Sequence, residues 1–395
     1  MDARARTIVF WSASALIGAE TLLFGLLVPA LPEFSDKLGL SDPQAAIIFA
    51  LFPVGQLAAS IVGAAALERV GRRPAMIASV VLMAAATVGF AFSDTVAIFA
   101  LTRLLQGVAA GLAWTAGLAA ISDVFPANQL GYRMSLAESV GGAGGGLAGP
   151  AVGGIAIDLI GVTQTFLFAA IVPVLLAVPV IFTPETRRAR AGEPTSRWLA
   201  LRKILAKPRA QVGTAALLVF AVTLGLLEPL LPLDIDRRLG LSATVIGMLF
   251  ATLILADLIA APIAGRWSDK RGRIGPMLVG GALIAVALPL TAIGPRPMLF
   301  TAMVVLGVGL GAMGAGIGAL MTEAADAAGL AGQYGLSAGV ITGLFALGAL
   351  AGPVLGGLAR TTLTYSATVT LLAAAVVAAT IWMTSALRTV ERQRE

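Results

Sequence analysis

Cysteine and histidine are both absent from this 395-residue chain, tyrosine occurs three times, and charged residues make up only 12% of it. Without cysteine there is no disulfide, no thiolate nucleophile and no sulfur ligand for a metal. Without histidine there is no imidazole to shuttle a proton, no Ser-His-Asp arrangement and no His-based metal site. Proton chemistry, if there is any, falls to carboxylates. The charge content is about half that of an ordinary soluble domain, which argues against a soluble multidomain enzyme. What fills the gap is apolar: 58% of residues are hydrophobic and the mean hydropathy is +0.93. The 46 glycines and 20 prolines follow no collagen period and so sit within or between apolar elements.

A membrane-crossing helix needs about 20 mostly apolar residues. Twelve stretches meet that need, near 8–32, 43–66, 75–93, 96–121, 135–158, 164–183, 211–232, 243–266, 276–294, 297–321, 334–357 and 364–387. The expected fold is therefore all-α and integral to the membrane. The first stretch is too long for a signal h-region and has no cleavage site, so it is expected to remain as a span. An even number of spans puts both termini on one side. If that side is the cytoplasm, 21 of the 27 Lys and Arg are cytoplasmic and five (Lys37, Arg237, Arg238, Arg296, Arg360) lie opposite, with Arg103 inside a span. Excess basic charge marks the cytoplasmic face, so the net charge of +6 describes topology and excludes nucleic acid as a partner. The polar stretch 184–210 holds eight of the basic residues. Its Trp198 and Leu201 would suit a helix on an anionic membrane surface, but a plain cytoplasmic linker already explains it and is the expected reading.

The linker separates two halves, 1–183 and 211–395, that resemble each other at an offset of 200–203 residues. LLVPALPEFSDKLGLS from Leu26 answers LLEPLLPLDIDRRLGLS from Leu226; LERVGRR from Leu67 answers SDKRGRI from Ser268; GGGLAGPAVGG from Gly144 answers LGALAGPVLGG from Leu347. Three matches in one order indicate a six-helix unit used twice. Two such bundles would face each other across a cavity that rocking opens to alternate sides.

With these motifs in view, the chain resembles the major facilitator superfamily, and within it the twelve-span drug:proton antiporters. The loop after span 2, Leu67-Glu68-Arg69-Val70-Gly71-Arg72-Arg73, is similar to that family's G-x-L-a-D-R-x-G-R-R signature, with Ala64 where glycine is usual and Glu68 for aspartate. Its counterpart, Gly265 to Asp269-Lys270-Arg271-Gly272-Arg273, is closer to the pattern. Arg103-x-x-Gln106-Gly107 resembles R-x-x-Q-G in span 4. Gly145, Gly149, Pro150 and Gly153 resemble the span 5 motif associated with antiporters, and Gly348, Gly352, Pro353 and Gly356 repeat it in span 11. Glu20 in span 1 and Glu228-Pro229 in span 7 also look like the vesicular amine transporters. Thr342 and Met313, however, stand where those carriers have membrane carboxylates. The resemblance implies two six-helix bundles, alternating access, no cofactor beyond the proton gradient, and a multi-pass protein of a bacterial inner membrane with cytoplasmic termini, expected to act as a monomer.

A charge in the bilayer core is costly and by default faces a cavity or a partner. Glu20 lies about 18 Å into its span, close to the midplane. Desolvation penalises its anion, so the carboxyl is suited to load and release a proton, and the same anion would attract a cationic substrate. Arg103 cannot shed its charge and Glu20 is its expected partner. Asp257, pseudo-equivalent to Gln56, and Glu228 complete the proton- and substrate-coupling group. Glu138, close to the cytoplasmic end of span 5, is expected to be hydrated, and Glu323 and Asp326 to be solvated or helix-capping. Phe24, Gln56, Trp114, Glu138, Thr342 and Phe345 are candidate cavity residues, although packing explains the aromatics as well. Glu68, Arg69, Gly71 and Arg72, with Asp269, Lys270, Gly272 and Arg273, are expected to pair into a cytoplasmic gate. The glycine–proline motifs are expected to shape and seal contacts between the halves rather than bind substrate.

These readings converge on proton-coupled export of lipophilic, cationic small molecules, with protons and membrane lipid as the other partners. A proton-coupled carrier of a sugar or other neutral metabolite is the alternative. The absence of histidine, cysteine and nucleophile motifs weighs against an enzyme, and no metal site is expected.

Overall fold

The computed structural model describes residues 1–187, 202–328 and 334–392. Among them are twelve helices long and apolar enough to cross a membrane. In chain order they are α1 (Ala3–Leu38), α2 (Asp42–Val70), α3 (Arg72–Ala91), α4 (Val96–Val124), α5 (Ala127–Ala137 continued by Gly144–Ile160) and α6 (Val162–Ala169 with Ile171–Ile181), then α7 (Pro208–Leu239), α8 (Ala243–Arg271), α9 (Ile274–Ile293), α10 (Arg296–Gly314 with Ile317–Ala327), α11 (Tyr334–Ala359) and α12 (Tyr365–Arg392). No strand occurs among the described residues.

Helices outrun the apolar stretches that announce them, because hydropathy marks the hydrocarbon layer and capping marks the helix. α1 begins where Asp2 accepts from the Ala5 N–H at 2.7 Å and ends where Gly39 turns left-handed at φ 64°. The start of α2 is held by Gln44, whose side chain accepts from the Ser41 N–H. α5 contains a six-residue π turn, Glu138–Ala143, which no hydropathy pattern announces.

The chain forms two compact units. The first contains residues 1–191 together with Ile235–Ala251, the end of α7 and the start of α8. In it α1 packs on α4 and α5, α2 on α4, and α3 on α4 and α6. One phenylalanine from each of α1, α3, α4 and α6 (Phe34, Phe90, Phe99, Phe166) meets in a buried cluster, with ring centroids 4.8 Å apart for Phe34–Phe99 and 5.2 Å for Phe90–Phe166. In the second unit α9 packs on α10 and α12, and Thr291 and Tyr365 share a buried hydroxyl hydrogen bond of 3.0 Å.

Glycines decide the closest crossings, and they do so twice. A Cβ on Gly107 of α4 would lie 2.0 Å from the Phe52 carbonyl oxygen of α2; one on Gly307 of α10 would lie 2.2 Å from the Leu253 carbonyl oxygen of α8. Gly149 of α5 meets the Leu22 carbonyl of α1 in the same way, and Gly352 of α11 meets the Val222 carbonyl of α7. Backbone cannot retreat from such a contact, so these positions exclude side chains. The glycine–proline motifs therefore seat α5 on α1 and α11 on α7, each inside its own unit. The α5 motif also meets the start of α8, which belongs to the second half of the sequence: a Cβ on Gly247 would lie 2.0 Å from the Pro150 carbonyl oxygen, and one on Gly154 2.3 Å from that of Ala243.

Candidate functional site

Glu20 is 4% exposed on α1. Its Oε2 accepts a 2.9 Å hydrogen bond from the indole N–H of Trp114 on α4. Its Oε1 is buried and has no hydrogen-bond partner among the described residues. The adjacent Thr21 hydroxyl is committed elsewhere, donating to the Ile17 carbonyl at 2.9 Å. A buried carboxylate with one oxygen held and the other open is a costly arrangement. Its cost is removed by a proton or a cation.

Arg103 is wholly buried and lies among aromatic rings. The guanidinium lies 3.9 Å from the ring centroid of Phe49, 4.9 Å from Phe24 and 5.0 Å from Phe52. It donates at 2.6 Å to Gln106 Oε1, and the Gln106 amide donates in turn to the Leu23 carbonyl of α1 at 3.2 Å. Glu20 takes its hydrogen bond from an indole, while Arg103 acts on that carboxylate through space. Aromatic faces can hold a desolvated guanidinium without neutralising it. Gln56 is buried on α2, and its carbonyl meets Gly111 of α4 at the glycine crossing. Glu138 is exposed at the start of the π turn.

In the second unit Asp257 is half-buried on α8. A Cβ on Gly311 of α10 would lie 3.0 Å from its Oδ1, so Asp257 stands at the glycine crossing that repeats the one at Gln56. Glu228 and Thr342 are half-buried and each engages a neighbour. Phe345 is half-buried with its ring 6.4 Å from Phe220. The structure thus brings Glu20, Trp114, Phe24 and Arg103 together in the first unit, and places Asp257, Glu228, Thr342 and Phe345 in the second.

At the basic loops the pairing differs from the expected one. Arg72 pairs with Asp123, at the end of α4, at 2.7 Å. Arg273 pairs with Glu323 of α10, which also takes Arg209. The expected assignment of Glu323 to solvent is thereby corrected: two guanidiniums converge on it. Asp269, Lys270 and Asp326 are exposed, and the side chain of Glu68 lies outside those described, as do Trp198 and Leu201. Neighbours in sequence are poorly placed to pair at the tight turns of Gly71 and Gly272, both at positive φ, whereas the ends of α4 and α10 are in reach. Asp123 and Glu323 are 200 residues apart, so the repeat itself carried the signal that finds them. A further acid, Glu185, accepts from the backbone N–H groups of Arg72 (2.9 Å) and Arg73 (3.1 Å), and Arg187 reaches the Arg69 carbonyl. No sequence pattern points to this cap.

A model of the Major Facilitator Superfamily matches the chain twice, over residues 13–233 and 213–395. The chain belongs to that superfamily. As a superfamily member it is a multi-pass membrane transporter rather than an enzyme, and its partner is a small-molecule substrate. It is 29% identical over 378 residues to the human MFS-type transporter SLC18B1, covering 90% of this chain and 80% of that one. It is 26% identical over 361 residues to the multi-drug resistance efflux pump PmrA of Streptococcus pneumoniae serotype 4, covering 88% and 87%. Among solved structures, a bacterial homologue of the human lysosomal transporter Spinster superposes with a TM-score of 0.70 at 14% identity, over 98% of this chain and 96% of that one. Superfamily membership explains why two six-span segments carry the same glycine crossings.

Proposed function

We propose that this transporter is a proton-coupled antiporter that exports lipophilic, cationic small molecules by alternating access, with Glu20 as the group for which proton and substrate compete. One observation carries the reading: Glu20 is buried, Trp114 holds one of its oxygens, and Oε1 has no partner among the described residues. A carboxyl so placed is stable when protonated or paired with a cation, and unstable when empty and charged. Binding either one displaces the other, which is the simplest chemistry for exchange. Arg103, held among Phe24, Phe49 and Phe52, does not occupy Oε1 as a donor. Asp257 and Glu228 are the further acidic groups of the coupling set. The likeness to PmrA and to the multidrug resistance protein MdtG of Escherichia coli, 28% identical over 298 residues, supports drug export. No cofactor is invoked, since 100 mV across the membrane supplies about 2.3 kcal/mol per charge. The reading places a monomer in a bacterial cytoplasmic membrane with both termini inside.

The test uses purified protein in proteoliposomes loaded with a fluorescent lipophilic cation. An imposed pH gradient is expected to drive substrate movement in the wild type. In Glu20→Gln that movement is expected to fall at least 10-fold, with thermal unfolding unchanged. Undiminished gradient-driven transport in Glu20→Gln would remove Glu20 from the mechanism. Substrate and protons moving in the same direction would establish symport instead.

A further inference from the structure

The indole of Trp114 donates to Oε2 of Glu20 at 2.9 Å, and its position is fixed from behind. Trp114 is half-buried, and its Cη2 lies 3.3 Å from where a Cβ on Gly142 would stand. Gly142 belongs to the π turn of α5. The same turn is pressed onto α1, for a Cβ on Gly141 would lie 2.4 Å from the Ser14 carbonyl oxygen. One irregular turn therefore touches both the helix that carries the acid and the side chain that holds it. π turns inside α-helices are rare and occur often at functional sites.

We infer that Trp114 is the positioning residue of the proton site: its N–H fixes Oε2 of Glu20 so that Oε1 is the oxygen that exchanges proton for cation, and its indole responds to the state of the carboxyl. This rests on the reading of Glu20 given above. An N–H donor bonds an anionic oxygen more strongly than a neutral one, so loading Oε1 weakens the indole bond. The ring is then freer to move against Gly142. Its remaining exposed surface is of the kind on which a flat lipophilic cation stacks.

On the helices packed against α1, the charged groups among the described residues have the following places. α1 is packed by α4, α5, α6 and, at its edge, α3. α6 carries no titratable residue. From α3, Arg72 pairs with Asp123 of α4, and Arg73 lies beside it at the cytoplasmic turn. From α5, Arg133 lies over the rings of Phe10 and Phe125, Asp158 accepts from the Ala243 and Thr244 N–H groups, and Glu138 is exposed at the start of the π turn. Arg103 of α4 acts on the Glu20 carboxylate and keeps its charge throughout. Glu138 shares the π turn with Gly142, and its carboxyl can be removed independently.

The experiment makes Trp114 the sole tryptophan by changing Trp11, Trp198, Trp267 and Trp382 to Phe, and records its emission in detergent from pH 5 to 9. The emission is expected to titrate as a single step, to stop titrating in Glu20→Gln, and to keep titrating in Glu138→Gln. In the otherwise native protein Trp114→Phe, which keeps an aromatic ring on α4 and removes the N–H donor, is expected to move the midpoint of pH-dependent transport up by about one unit, a tenfold change in proton affinity, because the donor to Oε2 is gone. A merely structural tryptophan would change the unfolding midpoint and leave the pH profile in place. An emission step that persists in Glu20→Gln, or follows Glu138, overturns the inference. So does an unmoved pH profile in Trp114→Phe, even where Glu20→Gln abolishes transport and the coupling role of Glu20 stands. Loss of the emission step in Glu20→Gln with transport intact keeps the contact and removes the coupling role.

Discussion

Arg103 shows what a single residue contributes when it cannot be neutralised. A guanidinium taken out of water loses hydration that the protein must replace, here in part through Gln106. Three phenylalanine faces within 5.0 Å supply part of the difference. Phe49, the nearest, is expected to matter most. Phe49→Leu keeps most of the apolar volume and removes the aromatic face, so it should cost about 2 kcal/mol, read as a lowered thermal unfolding midpoint. An unchanged midpoint would mean that the charge is held by something other than the rings. That Arg103 and Glu20 are exceptional was legible from composition, since so few charges fall inside apolar stretches. Their immediate partners were not. Which side chain meets which depends on how each helix is rotated about its axis, and a nearly all-apolar span carries little amphipathic signal to set that rotation.

Single elements are shaped by contacts that only a missing side chain or a distant carboxylate permits. At the α2–α4 crossing, Gly107→Ala would drive a methyl into the Phe52 carbonyl, and the expected loss is at least about 3 kcal/mol. Gly144→Ala, where no atom lies within 4 Å of the added carbon, should be neutral. Comparable unfolding of the two variants would deny the crossing its role. At the start of α3, Gly71 offers no side chain to cap the helix, and Glu185 arrives from beyond α6 to do so. Burial acts to raise the Glu185 carboxyl, but the N–H groups of Arg72, Arg187, Arg73 and Thr186 together hold it below its ordinary value of 4.5. A carboxyl lowered in the folded state contributes stability that is complete above its unfolded value and fades as the pH falls through the folded one. Glu185→Gln is therefore expected to cost about 1 kcal/mol at pH 7 for this exposed cap. The difference from wild type should close as the pH drops below about 4.5; a gap independent of pH would rule out the ionic cap. The spans themselves were readable from length and hydropathy. The π turn and the Glu185 cap were not, because one leaves the apolar pattern unbroken and the other joins residues more than a hundred apart.

On the scale of the whole molecule, duplication built the scaffold twice and put the acid–indole pair in one copy of it. Gly39 and Gly240, and Gly71 and Gly272, repeat the same positive φ; Arg72–Asp123 and Arg273–Glu323 repeat the same ion pair. The sequence repeat makes the paired glycine turns legible, while the acids that meet Arg72 and Arg273 come only from the structure. At the matching offset Glu20, Arg103 and Trp114 become Phe220, Met303 and Gly314, and a Cβ on Gly314 would lie 3.9 Å from the Phe220 ring. The position that holds an acid and its indole in one unit holds a phenylalanine over a glycine in the other. A repeated scaffold also repeats its loops, so the side on which the basic turns at Gly71 and Gly272 lie decides the orientation of all twelve spans. Basic charge favours the cytoplasm for these turns, and the natural absence of cysteine makes this directly measurable. In intact cells a charged, impermeant maleimide should label Asp94→Cys, at the opposite end of α3, and leave Lys270→Cys unlabelled until the membrane is permeabilised. The reverse pattern would turn the molecule over. It would also place Glu185 and both arginine pairs on the outer face, where the excess of basic residues would have no topological cause.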